Sequence, residues 1–110
     1  MADEIAVLTN VPDAATAETI ARGLVERRLA ACVNILPAMS SVYRWEGKIE
    51  QAVETMLLIK STESRYAELE KAIVKLHPYD VPEIIALPIV AGLPEYLWWV
   101  ASETTRSTNA

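Results

Sequence analysis

Residues His77-Pro78-Tyr79-Asp80-Val81-Pro82-Glu83 bring one imidazole, one phenol and two carboxylates into a seven-residue segment stiffened by two prolines. That density of polar groups is what a binding loop requires, and His77 with Asp80 and Glu83 is the set whose types suit a divalent cation. A plainer account fits the same residues: a histidine at a helix end is favoured by the helix dipole, Tyr79 packs, and the acids face water. The donor inventory limits what a metal could find. His77 is the only histidine and Cys32 the only cysteine among 110 residues, while a closed zinc site takes about four ligands, commonly Cys and His, and an open one about three. No tight zinc or copper site is expected within one subunit, and copper held by imidazole and carboxylate is expected to bind weakly and unselectively.

Nucleophilic chemistry has even less to work with. It needs Cys or Ser beside a His with an orienting acid, and Cys32 with His77 is the most reactive pair on offer. Cys32 lies in the apolar run ACVNIL, where a small buried thiol is the ordinary role. There is no G-x-S-x-G, no Walker loop, and only 3 glycines to build a phosphate cradle. The chain reads as a binding protein, not an enzyme, with no required cofactor and with Cu2+ or another divalent cation as the ion its residues could take. Lys60 closes the run TMLLIK, where it can meet an anion or, as favoured here, lay its stem on apolar surface and keep its ammonium wet. Tyr43 and Trp45 read as interface anchors. Trp98 and Trp99 could stack on a ligand, but adjacent tryptophans are expected to place one ring in the core and one at an interface.

The elements that must position these groups follow from the hydrophobic pattern. Glu4 to Thr9 reads as a strand stopped by Asn10 to Asp13. Asp13 is an N-cap candidate for a helix whose apolar stripe is Ala17, Ile20, Ala21, Leu24 and Val25, ending around Arg28. Ala31 to Leu36 is extended, and after Pro37 the strand resumes to Trp45, turns at Glu46-Gly47 and returns as Lys48 to Lys60. Pro37 fits such a hairpin only at an edge or a bulge. At about 3.3 Å per residue, Ala31 to Trp45 would run roughly 50 Å, longer than the roughly 35 Å width of a compact domain this size. Part of the ribbon must project, and with Val42, Tyr43, Trp45 and Ile49 on it, association is expected to cover it. Thr62 or Ser64 would cap a second helix bearing Tyr66, Leu69, Ile73 and Leu76, ended by His77-Pro78. Pro82 to Val90 is a last strand, Gly92-Leu93-Pro94 opens a last helix, and Ser102 to Ala110 reads as a frayed tail. The order β-α-β-β-α-β plus a helix is that of an α+β, ferredoxin-like sandwich in one domain, residues 1–110.

Composition bounds the partners. A net charge of -5 with scattered basic residues excludes nucleic acid as the main partner, because that affinity comes from Lys and Arg neutralising phosphates. The apolar run Ile84 to Val90, broken by Pro88, falls far short of the ~20 residues that span a bilayer, so no membrane partner is expected. MADEIAVLTN opens with acids where a secretory signal would carry positive charge. A cytoplasmic protein is expected, and a lone cysteine agrees with a reducing compartment.

Five ordered blocks, ACVNI with its preceding Ala30, SVYRWEG from Ser41, LIKST from Leu58, HPYDVPEI from His77 and YLWW from Tyr96, resemble the divalent-cation tolerance protein CutA family over about Ile5 to Ser102. The resemblance implies a ferredoxin-like subunit in a tight homotrimer, with long hairpins clasping neighbours and clefts between subunits, similar to nitrogen-regulatory PII-like trimers that bind small molecules there. It implies a role in tolerance to divalent metals, especially copper, and a family-like set of Cys32, Tyr43, Trp45, Lys60, His77, Tyr79, Glu83 and Trp99. Of these, Cys32, Tyr43, Trp45, Lys60, Tyr79 and Trp99 are expected to line the ligand cleft. Some copper-binding members place a Cys in the first strand and a second His before the His-Pro-Tyr motif. Here those positions hold Thr9 and Leu76.

Overall fold

The computed structural model describes residues 3–106. Its elements run β1 (Glu4–Val11), α1 (Ala14–Glu26), β2 (Cys32–Trp45), β3 (Lys48–Thr62), a 3-10 turn (Glu63–Arg65), α2 (Tyr66–Leu76), β4 (Ile84–Pro88) and α3 (Pro94–Glu103). All strand pairs are antiparallel, in the order β2-β3-β1-β4. Each split βαβ unit therefore has the other's strand inserted, which is the ferredoxin-like arrangement that the element order implied.

One face of the sheet is made by Ile5, Val7, Val11, Leu57 and Ile59, and it packs on Ala17, Ile20 and Leu24 of α1 and Leu69, Ala72 and Ile73 of α2. The helices lie there because their apolar residues recur at three and four while those of the strands alternate. Asp13 caps α1 as expected, accepting from the Thr16 N–H at 2.8 Å, and that donor holds its carboxyl below the usual range. Residues α1 needs at its other end come from elsewhere in the chain. Arg28 takes a left-handed φ of 57°, and Arg65, buried, donates to the carbonyls of Arg27 and Arg28 and, at 2.9 Å, to Glu68. α2 starts differently from expectation: Thr62 and Ser64 make no side-chain cap, and the 3-10 turn leads into the helix instead.

The ribbon of β2 and β3 spans Cys32 to Thr62 and closes on Glu46 and Gly47, with φ of 50° and 79°. Positive φ at both central residues makes the two-residue turn whose twist matches a hairpin. Pro37 sits on an edge strand and also in a bulge, where register passes from Leu36↔Met56 to Met39↔Glu54 and Ala38 takes a φ of 56°. The ribbon projects: the molecule measures 47 × 31 × 22 Å.

The other face carries Leu8, Leu58 and Met56 beside exposed Leu36, Ile85 and Leu87. This second face is not free of helices at one end. α3 packs against β3 and β1, Val100 is buried, and the Thr104 and Thr62 hydroxyls meet at 3.4 Å. Ser102 and Glu103 belong to α3 and Thr104 is buried, so the polar tail begins later than expected. Residues 107–110 lie outside the described range. Among the described residues no helix is long and apolar enough to cross a membrane.

Candidate functional site

α2 ends because Pro78 disfavours helical geometry at His77, and the His77 ring turns back onto β1. Its Nε2 lies 2.7 Å from the Asn10 carbonyl oxygen, and its Nδ1 accepts from the Tyr79 N–H at 3.2 Å. A carbonyl cannot donate, so the proton belongs on Nε2. Both ring nitrogens are occupied by backbone partners and the residue is buried, only 7% exposed.

This staple sets Tyr79. The two rings lie 4.8 Å apart at 52°, and the Tyr79 hydroxyl donates to Glu54 Oε2 at 2.8 Å. Burial of the phenol and the Glu54 carboxylate beside it push the Tyr79 pKa up to about 12. At neutral pH the group is therefore a donor. Across from it, the Asn10 amide nitrogen donates to Glu83 Oε1 at 3.1 Å, leaving the Asn10 Oδ1 buried with no donor.

Between these groups lies a cleft of about 610 Å³, walled by Tyr43 and Trp45 of β2, Glu54 of β3, and Tyr79, Asp80 and Glu83 of the loop after α2. The bulge at Pro37 and Ala38 explains why Tyr43 and Trp45 are there. Before it, even-numbered Cys32, Asn34 and Leu36 pair with Lys60, Leu58 and Met56; after it, odd-numbered Met39, Tyr43 and the intervening Ser41 share the face of Glu54. One extra residue in a strand exchanges its faces.

The six residues expected to line one cleft fall into two groups within the chain. Tyr43, Trp45 and Tyr79 meet at the cleft with Asp80 and Glu83. Cys32 and Lys60 sit six residues along β3 from Glu54, roughly 20 Å away at strand spacing. There the Lys60 ammonium contacts Asn34 Oδ1 and lies 3.8 Å from Cys32 Sγ, so it is not simply turned to water. Cys32 is half-buried. Tyr96 of α3 rests near that thiol, with burial and then Cys32 raising its pKa, and Trp99 lies 5.6 Å from Tyr96. Neither Trp98 nor Trp99 enters the core of the subunit: Trp98 is 73% exposed and Trp99 39%.

His77, Asp80 and Glu83 do not make a metal centre together. His77 stands behind the cleft wall with its nitrogens used, and among the described residues no three His, Cys, Asp or Glu side chains converge to hold a metal ion. The donors that do face the cleft are carboxylates, which suit hard cations and not a tight copper site. Asn10 and Glu54 were not singled out from sequence. A signal for Glu54 existed, since it is the charge inside the otherwise weakly polar strand segment Ala52 to Ile59.

Comparison with known proteins is decisive for the family. The family model for the CutA1 divalent ion tolerance protein matches residues 5–103. The chain belongs to the CutA1 family. It is 50% identical over 101 residues to the divalent-cation tolerance protein CutA of Thermus thermophilus, covering 92% of this chain and 98% of that one. It is 47% identical to the CutA homolog of Xenopus laevis over 86% of this chain but spans only 63% of that protein. The solved Thermus thermophilus Cut A1 structure aligns with a TM-score of 0.91 at 49% identity, over 93% of this chain and 99% of that chain. Within this CutA1-family chain, Thr9 is fully buried on the strand face that meets the helices, so it does not reach the cleft, and Leu76 is exposed.

Proposed function

We propose that the chain works as a homotrimer in the cellular response to divalent metals, copper among them, and that its molecular act is to bind a small ligand in the cleft between ribbon and loop. It is a PII-like sensor or scaffold on this reading, a binding protein and not an enzyme, acting in the cytoplasm. The observation that carries the reading is the cleft itself. Its volume falls in the range of small-molecule sites, about 300–1,000 Å³, and aromatic walls with a few fixed polar groups are the usual lining. Family membership supports the link to divalent-cation tolerance. Association is supported by the projecting ribbon, where Val42, Ile49 and Val53 are largely exposed, since soluble proteins cover such surface by pairing with another chain.

Direct copper binding through Asp80 and Glu83, with His77 released from its staple, is a second reading. The two carboxylates on the cleft wall favour it; the engaged imidazole opposes it. A thermal-shift screen of small metabolites on the wild type and on Trp45→Ala tests the first. Ligands that raise the melting temperature of the wild type but not of the variant are expected. A screen in which nothing stabilises the wild type removes its support.

A further inference from the structure

Cys32 and Lys60 are directly opposite each other in the register of β2 and β3. Side chains paired in this way leave the same face of a sheet, with Cβ atoms about 5 Å apart. Lys60 uses that proximity instead of reaching for water. Its ammonium turns back to Asn34 Oδ1, two residues along β2 on the same face, and lies 3.8 Å from Cys32 Sγ. The carboxamide thus holds the lysine head beside the sulfur. Tyr96 of α3 comes within reach of the same thiol, and Cys32 and Lys60 are each half-buried. The unit is a pair, a thiol with an amine held against it. Adjacent strands of one subunit make it, so it is present in whatever assembly the chain forms.

An amine beside a thiol permits a reaction that neither group offers alone. Oxidation of a thiol gives a sulfenic acid, and a sulfenic acid condenses with a neighbouring nitrogen to a sulfenamide. We infer that Cys32 and Lys60 form a peroxide-operated switch, in which Cys32 is oxidised to the sulfenic acid and Lys60 Nζ captures it through a covalent S–N bond. In the first step Sγ gives two electrons to hydrogen peroxide. The O–O bond breaks, one oxygen stays on sulfur and the other leaves as water. In the second step Lys60, its ammonium proton given to solvent, attacks Sγ. The S–N bond forms, the S–O bond breaks, and the hydroxyl leaves as water with a proton from the nitrogen. The chain loses two hydrogens and the peroxide becomes two waters. A thiol reductant reverses the link: its sulfur attacks Sγ, Nζ leaves as the amine, and a second thiol frees Cys32. The closed state has lost the positive charge of Lys60 and has β2 tied to β3 at the root of the ribbon. It also keeps Cys32 from the irreversible sulfinic stage. The switch is independent of what the cleft binds, since it lies at the other end of the ribbon from Tyr43 and Trp45.

Treatment of the native assembly with hydrogen peroxide tests this, on the full-length wild type, Lys60→Arg and Cys32→Ser. The readout is a peptide mass map, because Met39 and Met56 also take up oxygen and obscure the intact mass. In the wild type the Cys32 and Lys60 peptides are expected to appear joined, lighter than their sum by two hydrogens, and to separate again with dithiothreitol. Lys60→Arg keeps the positive charge but has no amine to attack with. It is expected to give no joined peptide and a several-fold larger yield of sulfenic acid trapped by dimedone. Cys32→Ser is expected to give neither product. Equal dimedone labelling of wild type and Lys60→Arg, with no joined peptide, would overturn the inference. So would a thiol that peroxide leaves untouched in the native wild type but oxidises in the unfolded chain, because the assembly then closes the pair off. A Cys32 disulfide between two chains as the main product would overturn it as well. A joined peptide that retains the oxygen would rule out the S–N bond. The wild type alone carries the central result, so the inference stays testable if a variant fails to fold.

Discussion

The Tyr79 hydroxyl donates to Glu54 at 2.8 Å, tying the loop after α2 to the middle of the ribbon. The contact closes the back of the cleft and joins two segments that share no other hydrogen bond among the described residues. Its strength depends on the phenol keeping its proton.

That dependence gives an alkaline signature. The Tyr79 pKa rises from 10.0 to about 12 through burial and Glu54, so the native state holds this proton more tightly than the unfolded chain. The contribution to stability is complete below pH 10 and is lost as pH rises through about 12. Denaturant unfolding across that window is expected to show a smaller loss of stability with pH for Tyr79→Phe than for the wild type. Phenolate absorbance of the variant is expected to lack the last-titrating component. Equal slopes for both proteins would mean that the hydroxyl does not make this contact in solution.

Arg65 and Arg106 both reach Glu68, yet their removal should differ. Arg65 is buried and donates to two carbonyls at the end of α1 in part-buried hydrogen bonds, so Arg65→Met is expected to cost about 1–3 kcal/mol by removing those bonds and the one to Glu68. Arg106 is exposed, and Arg106→Ala is expected to change stability by less than about 1 kcal/mol. Urea unfolding of the two variants reads the difference directly.

Ile59 is fully buried between the sheet and the helices. Ile59→Ala is expected to destabilise by about 2–5 kcal/mol, the transfer term plus the cavity left behind. A cost below 1 kcal/mol, on the order of an exposed site, would place this residue outside the core.

Ile49 and Val53 on the ribbon are 70% and 71% exposed in the single chain. In an isolated subunit Ile49→Glu with Val53→Glu would be nearly neutral. In a clasped assembly it buries two charges, so light scattering is expected to show a reduced mass while far-ultraviolet circular dichroism stays native. An unchanged mass would remove the ribbon from any interface.

Much of the fold is legible in particular residues. Asp13 caps where a short acceptor precedes an apolar stripe, Glu46-Gly47 turns where two positive φ values are needed, and His77-Pro78 ends a helix because proline forbids its continuation. Each is a local rule with its cause a few residues away. The cleft is less legible because its causes are distant. Pro37 signals a bulge, but the consequence, that Tyr43 and Trp45 move to the face of Glu54, depends on the register of a strand pair fixed at the far turn. The His77 imidazole looks available in sequence, and only the fold brings the Asn10 carbonyl to it, 67 positions away. Cys32, Lys60 and Trp99 were grouped with the cleft by resemblance, and within one chain strand spacing keeps Cys32 and Lys60 apart from it.

The most direct test of the account is a calorimetric titration of Cu2+ into the native assembly of wild type and His77→Ala, each first verified as folded. The account predicts weak heats, alike in the two proteins, because the imidazole is committed to Asn10 and Tyr79 and no three donors converge. Tight, saturable copper binding that disappears with His77→Ala would contradict it.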